Sequence, residues 1–201
     1  MMKLLIASNN PGKLVEILDL LKDLDLDLLT PGKIGLDLQV DETGDTYAEN
    51  AALKGTAFAR QSGLVTLADD SGLEVDALGG LPGVNSARFS PKPGATSADR
   101  RVLLIQKLAG VPRPWKACFR CLIALVSPTG EEYLTEGVCP GEIIPEERGQ
   151  NGFGYDPIFF LPDLNATMAE IPMFEKNRRS HRALAVMAAL PQLMDLLKKT
   201  G

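Results

Sequence analysis

Four short stretches of the sequence carry side chains whose type and spacing could do chemistry. The first is Ser8-Asn9-Asn10-Pro11-Gly12-Lys13, a polar loop between an apolar run and an amphipathic segment. A helix starting there offers backbone N–H groups and the positive end of its dipole, which together bind phosphate. Ser8, Asn9, Asn10 and Lys13 can add donors to phosphate oxygens. Neither the GxxxxGK[ST] spacing of a Walker loop nor GxGxxG is present, so a polar turn with a good helix cap is an equal reading. The second stretch, Asp41-Glu42-Thr43-Gly44-Asp45, supplies loop carboxylates of the kind Mg²⁺ prefers. Just beyond it, Asn50 and Lys54 stand four residues apart on one helix face, a spacing that also suits a solvated surface.

The third stretch is Asp69-Asp70-Ser71-Gly72, at the end of an apolar run. Ligand sites in α/β sheets collect at the carboxyl ends of strands, and an acid there can hold a metal or take a proton from water. Neighbouring strand residues point to opposite faces, so one aspartate serves the site and the other is expected as a cap or turn carboxylate. The fourth comprises Gly152-Phe153-Gly154-Tyr155-Asp156-Pro157 with Lys176, Ser180, His181 and Arg182. Glycines on both sides leave the Phe153 ring available for stacking, although a turn with a packed ring gives the same pattern. Ser180 is expected to cap the last helix and to place His181 and Arg182 in its first turn. Positive charge is unfavourable at a helix N-terminus, which favours a neutral His181 suited to reading a base edge.

These groups need a scaffold, and the pattern supplies one. Lys3 to Ala7 reads as a buried strand, and Asn10 as the N-cap of a helix with Pro11 at its first position and Leu14, Ile17, Leu18 and Leu21 at helical spacing. The alternation from Asp23 to Leu28 suggests a strand. Thr46-Tyr47-Ala48-Glu49 forms a capping box for a helix reaching about Arg60, and Leu64 to Ala68 is a strand ending at Asp69. Residues 79–96, rich in Gly, Pro and Ser, are expected as a long loop, followed by a helix from Ser97 to Leu108. Strands near 116–126 and 131–138 form a hairpin around Ser127-Pro128-Thr129-Gly130, and Ile158 to Phe160 is a further strand. The last helix carries Leu184, Met187, Leu190, Met194 and Leu197 on one stripe, with Pro191 expected to kink or break it. The sum is an α/β protein with a mixed central sheet flanked by helices, in a single domain spanning residues 1–201.

Composition narrows the partners. The chain has 201 residues, 45% hydrophobic and 23% charged, and a formal charge of −5. An acidic balance disfavours long nucleic acid and anionic membrane. The longest apolar run, Ala183 to Leu190, is too short to span a bilayer, and the N-terminal residues lack a signal peptide's apolar region. Three cysteines, an odd number, favour a reduced, cytoplasmic setting. Cys118 and Cys121 form a CxxC, yet Trp115, Ala117, Phe119, Cys121, Ile123 and Leu125 alternate as one face of a strand, so the two thiols point apart and cannot share a metal. With His181 as the only histidine, a histidine-rich metal site is excluded.

The order of Ser8–Lys13, Glu42–Thr46 with Glu49-Asn50-Ala51, Ala68–Leu73, Gly79–Gly83 with Ser86-Ala87-Arg88, Phe153–Pro157 and Ser180-His181-Arg182 closely resembles the inosine/xanthosine triphosphate pyrophosphatases. The resemblance covers about residues 3 to 190. It implies Mg²⁺-dependent hydrolysis of ITP, dITP and XTP to the monophosphate and pyrophosphate, and a homodimer of elongated two-lobed subunits with a central cleft. It matches Ser8, Asn9, Asn10, Pro11, Gly12 and Lys13 to the triphosphate loop, Asp70 to the proton acceptor and a metal ligand, and Ser71 to a substrate contact. Phe153, Gly154, Tyr155 and Asp156 match the base-binding segment, with Lys176, His181 and Arg182 as further substrate contacts. The second metal carboxylate falls at Asp41, where a glutamate is commoner, with Glu42 as the alternative. A pyrophosphatase acting on pyrimidine or modified nucleotides, and a nucleotide sensor without turnover, are the competing readings.

Overall fold

The computed structural model describes residues 1–200. Seven strands form one sheet in the order β2-β1-β3-β4-β5-β6-β7. Strand β1 (Met2–Ala7) pairs in parallel with β2 (Leu26–Leu29) and β3 (Thr66–Val75), whereas β5 (Glu132–Ile143), β6 (Phe159–Leu161) and β7 (Ala166–Thr167) pair antiparallel. The remaining strand, β4, spans Trp115–Val126. The sheet is mixed, as the alternation of apolar runs and helical segments predicts.

The chain divides into two compact units, the first comprising Met1–Asp70, Cys121–Gly137 and His181–Gly201, the second Ser71–Arg120 and Val138–Ser180. In the first unit, helix α1 (Pro11–Leu21) starts as its sequence dictates: the Asn10 side chain accepts from the backbone N–H groups of Gly12 and Lys13. Helix α2 (Tyr47–Ser62) opens with the full capping box between Thr46 and Glu49. It packs so closely that a Cβ on Gly55 would lie 2.7 Å from Val126 Cγ2. The main core of this unit joins Leu4, Ile6, Ile17, Leu21 and Leu67 to Ile123, Leu125 and the inner face of helix α5 (His181–Thr200). In the second unit, helix α3 (Ser97–Leu108) and the short helix α4 (Met173–Arg179) accompany a core of Leu73, Leu104, Phe119, Ile143 and Phe159.

Several expectations need correction. The Asp-Leu alternation yields a strand only over Leu26–Leu29, because only those residues find a partner, in β1. Residues 79–96 are not all loop: Gly83–Arg88 forms a 3₁₀ helix. The second hairpin strand runs on to Ile143, and β3 continues through Asp69 and Asp70 to Val75. Pro191 does not break α5, which runs on through it to Thr200. Its ring is exposed, and burial of Val186, Ala189, Leu193, Leu196 and Leu197 outweighs the roughly 3 kcal/mol that an interior proline costs. The buried stripe of α5 is also displaced by about one residue from the expected one, leaving Leu184 and Met187 exposed. Alanines at 183, 185 and 189 face inward instead, where Gly137 of β5 lies so near that a Cβ would stand 2.1 Å from the His181 carbonyl.

Alternation in β4 is as expected, with Cys121 fully buried and Cys118 half-buried on the other face. All three cysteines are free thiols. Burial pushes Cys121 up to about 12, and burial together with Glu74 pushes Cys118 up to about 11, so neither is a nucleophile near neutral pH.

Candidate active site

Strand β3 delivers two adjacent aspartates to opposite sides. Asp69 is wholly buried, and its Oδ2 meets Lys13 Nζ at 3.0 Å and Arg182 Nε at 3.4 Å. Arg182, at 1% exposure, also pairs through Nη1 with the buried Glu16 of α1. From α2, Lys54 donates to the Asp69 carbonyl at 2.9 Å and pairs with Glu42. Burial alone would raise the Asp69 carboxyl, but Lys13, Arg182 and Lys54 hold it far below the usual carboxylate range. The expectation that one aspartate is a cap or turn carboxylate fails for both. Each lies within the strand and is buried, and a buried carboxylate needs charge partners rather than a surface turn.

Asp70 is placed differently. Its Oδ2 accepts from Asn50 Nδ2 at 3.2 Å, and Asn50 Oδ1 accepts from Gly44 N at 2.8 Å. Asn50 therefore ties the 41–45 loop to Asp70. Burial and the charges of Glu42 and Asp69 raise the Asp70 carboxyl, against the opposing pull of Lys13 and Lys54. Lys54 itself is weakened as a cation by burial, but Asp69 and Glu42 more than restore its charge. Asn50 and Lys54 are thus not a solvated face; Asn50 is 0% exposed. Asp41 is exposed, while its neighbour Glu42 is the acid in contact with Lys54.

In the phosphate-loop stretch, Ser8 is buried and its Oγ accepts from Asn10 N at 3.2 Å. Asn9, Asn10 and Pro11 are exposed, with Gly12 and Lys13 half-buried. The Asn10 side chain occupies the N–H groups of Gly12 (2.9 Å) and Lys13 (3.3 Å), so an incoming anion competes with the cap for those donors.

The second unit holds the Phe153 turn. Asp156 Oδ2 accepts from Phe153 N at 2.8 Å and from Lys176 Nζ at 2.6 Å, with both charged side chains nearly fully buried. The same Lys176 Nζ stands 5.5 Å from the centre of the Phe153 ring, a cation–π distance. Tyr155 OH donates to the Ser86 carbonyl at 3.0 Å. Gly152 and Gly154, at φ +72° and +63°, let the chain turn on either side of Phe153. A Cβ at Gly152 would lie 2.0 Å from Asp156 Oδ2.

A family model described as the Ham1 family matches residues 4–192. The chain belongs to the Ham1 family. Among relatives, it is 45% identical to a dITP/XTP pyrophosphatase of Desulforamulus reducens, over 97% of each chain. It is 46% identical to one of Geobacter sulfurreducens, over 92% of this chain and 94% of that one. Its fold matches the Ham1 protein of Coxiella burnetii with a TM-score of 0.86 at 40% identity, over 97% and 100% of the two chains. The Staphylococcus aureus Ham1 protein matches at 0.83 and 37%, over 96% and 98%.

Within this Ham1 chain, the first unit brings together Lys13 and Arg182 from the sequence-derived set, both on the Asp69 carboxylate, with Asp70 next to Asp69 and within the influence of Lys13. The second unit brings together Phe153, Asp156 and Lys176. Ser71 is half-buried on β3, and His181 is buried at the start of α5. One participant, Glu16, carries no signal in the sequence, and two that the sequence does single out, Asp69 and Arg182, have contacts that it does not reveal. Glu16 sits in an otherwise apolar stretch of α1, where a lone acid gives no hint of a partner 166 residues away. Asp69 was legible as one of a pair but not as the hub of a buried cluster. Arg182, expected as a substrate contact, pairs with Glu16 and Asp69.

Proposed function

We infer that the chain hydrolyses deaminated purine nucleoside triphosphates (dITP, ITP and XTP) to the monophosphate and pyrophosphate. The observation that carries this is the contrast between neighbouring aspartates, Asp69 locked into ion pairs with Lys13 and Arg182, and Asp70 raised by burial and held by a neutral Asn50. The first supplies cation positioning and the second a base.

Lys13 and Lys54 are cations with little solvent access, suited to binding and orienting triphosphate oxygens. Asp70 accepts the proton of a water that attacks the α-phosphorus; the bond from that phosphorus to the oxygen bridging to the β-phosphate breaks, and pyrophosphate leaves with that oxygen. The donor chemistry fits Mg²⁺. Asp70 and Glu42 are hard oxygen ligands close enough for Glu42 to raise the Asp70 carboxyl. Among the described residues no three His, Cys, Asp or Glu gather in one place, so phosphate oxygens would complete the shell, as Mg²⁺ commonly requires. We assign Glu42 in place of Asp41, because Glu42 is the acid that pairs with Lys54 and whose charge reaches Asp70, whereas Asp41 is exposed. Bound there, Mg²⁺ would neutralise charge developing on the departing pyrophosphate.

Phe153 serves as the stacking platform, with Lys176 beneath it and Asp156 fixing both, and His181 is assigned to the base as a substrate contact. Site donors directed at a 6-oxo group would meet the 6-amino group of adenine donor to donor, which strongly disfavours ATP. The reading includes a homodimer in the cytoplasm; no helix of the described residues is long and apolar enough to cross a membrane.

The test is pyrophosphate release from dITP, ITP, XTP, GTP and ATP with Mg²⁺. Release from the first three, weak release from the last two and loss of turnover in Asp70→Asn with nucleotide binding retained are the expected results. Equal rates on all five nucleotides, or near-normal turnover in Asp70→Asn, overturn the reading.

A further inference from the structure

The Phe153 turn has an anchor on a helix remote from it in sequence. Arg101, on α3, donates through Nη1 to the Gly154 carbonyl at 2.7 Å. Its Nε and Nη2 form a two-pronged bond with Glu147, each at 2.8 Å. All three guanidinium nitrogens are thus engaged: one edge grips a carboxylate and the remaining nitrogen grips the backbone of the turn. We propose that Arg101, braced by Glu147, is a positioning residue that fixes the Phe153 platform and so sets affinity for the nucleoside end of the substrate without touching it. The proposal rests on the reading of Phe153 as that platform.

The backbone itself supplies the reason. Gly152 and Gly154 both have positive φ, so Phe153 is carried between two residues that resist little. Before the ring, Phe153 N is held by Asp156; after it, the Gly154 carbonyl is held by Arg101. Loss of that bond frees the C-terminal side of the platform while Tyr155 OH still secures the following residue to Ser86. The effect is therefore confined to where the ring sits, not to whether the unit folds. Arg101 is suited to this because its side chain is only 13% exposed, which limits screening, and because a planar fork keeps both partners in fixed directions. A lysine offers one point charge and cannot hold Glu147 and the carbonyl in the same geometry.

The experiment compares Arg101→Ala, Arg101→Lys, Glu147→Gln and Phe153→Ala by dITP kinetics with Mg²⁺ and by inhibition with pyrophosphate. Arg101→Ala is expected to raise KM for dITP about tenfold with kcat within about threefold, and to leave the inhibition constant of pyrophosphate unchanged. Arg101→Lys should recover part of the KM, and Glu147→Gln should raise it about threefold. An unchanged KM in Arg101→Ala, a fall in kcat at constant KM, or parallel weakening of pyrophosphate overturns the proposal. If Arg101→Ala does not fold, Glu147→Gln decides: its carboxylate is 46% exposed, so the fold tolerates the change, and an unaltered KM counts against the proposal. Phe153→Ala separates the two levels. A normal KM there removes the platform reading and this proposal with it, whereas a raised KM beside a normal Arg101→Ala removes this proposal alone.

Discussion

Arg182 and Asp69, 113 residues apart in the chain, share one buried contact, Nε to Oδ2 at 3.4 Å. The contact is a link in a series of alternating charges: Glu16, Arg182, Asp69, Lys13. Each member compensates its neighbours, and the ammonium of Lys13 stands at the end of the row. Lys13 is carried to the buried Asp69 by the first turn of α1, which starts at Pro11, and the 3.0 Å ion pair holds it there.

Removing the buried end of that row should be costly. Glu16→Ala leaves the Arg182 guanidinium inside the fold with one counter-charge fewer, and breaking such a pair costs about 3–5 kcal/mol. Urea unfolding of wild type and Glu16→Ala checks this. A midpoint shift corresponding to under about 1 kcal/mol shows that Glu16 does not compensate Arg182.

The pH dependence of stability follows from Asp69. Its folded-state carboxyl lies far below the ordinary value of 3.8, because Lys13, Arg182 and Lys54 overcome the opposing effect of burial. A depressed carboxyl stabilises the fold fully above its unfolded value and loses that contribution as pH falls through the folded one. Asp69→Asn should therefore be less stable than wild type by a constant margin from about pH 5 to 8, with the margin shrinking below about pH 3.8. Denaturation curves across that range decide it; a margin that grows as the solution is acidified contradicts the assignment.

The two glycines around Phe153 should respond differently to the same change. At Gly154 an added Cβ meets nothing within 4 Å, so Gly154→Ala costs only the positive-φ strain, about 1 kcal/mol. At Gly152 the same atom would fall 2.0 Å from Asp156 Oδ2 and 2.9 Å from Lys176 Nζ, and must break the pair that seats the ring. Gly152→Ala is expected to raise KM for dITP about tenfold or more, and Gly154→Ala by much less. Equal effects on KM would remove Asp156 and Lys176 as supports of the ring.

What could be read from the chain was set by the range of the interactions. Asn10, Pro11 and the Thr46–Glu49 box act on backbone within three residues, and each helix begins where they say. The alternation of β4 is likewise local, and both faces came out as read. Glu16, Arg182 and Asp69 are different, since nothing near Glu16 announces a partner on the last helix. The anchoring of Gly154 by Arg101 spans 53 residues and was equally silent. Strand ends failed for the same reason: pairing partners, not residue types, carried β3 past Asp70 and stopped β2 at four residues.

The last helix shows how a plausible stripe can be one residue off, and it can be tested directly. Leu184 and Met187 have the larger side chains, yet they are 41% and 54% exposed, whereas Leu193 is fully buried in the main core. At Gly137, β5 approaches the α5 backbone so closely that a Cβ there would stand 2.4 Å from Ala185 N. Burial predicts that Leu184→Ser and Met187→Ser each change stability by about 0.5 kcal/mol or less, while Leu193→Ala costs about 2–5 kcal/mol by opening a cavity. Thermal or urea denaturation of the three variants distinguishes the faces. A larger loss at Leu184 or Met187 than at Leu193 would reverse which side of α5 carries the packing.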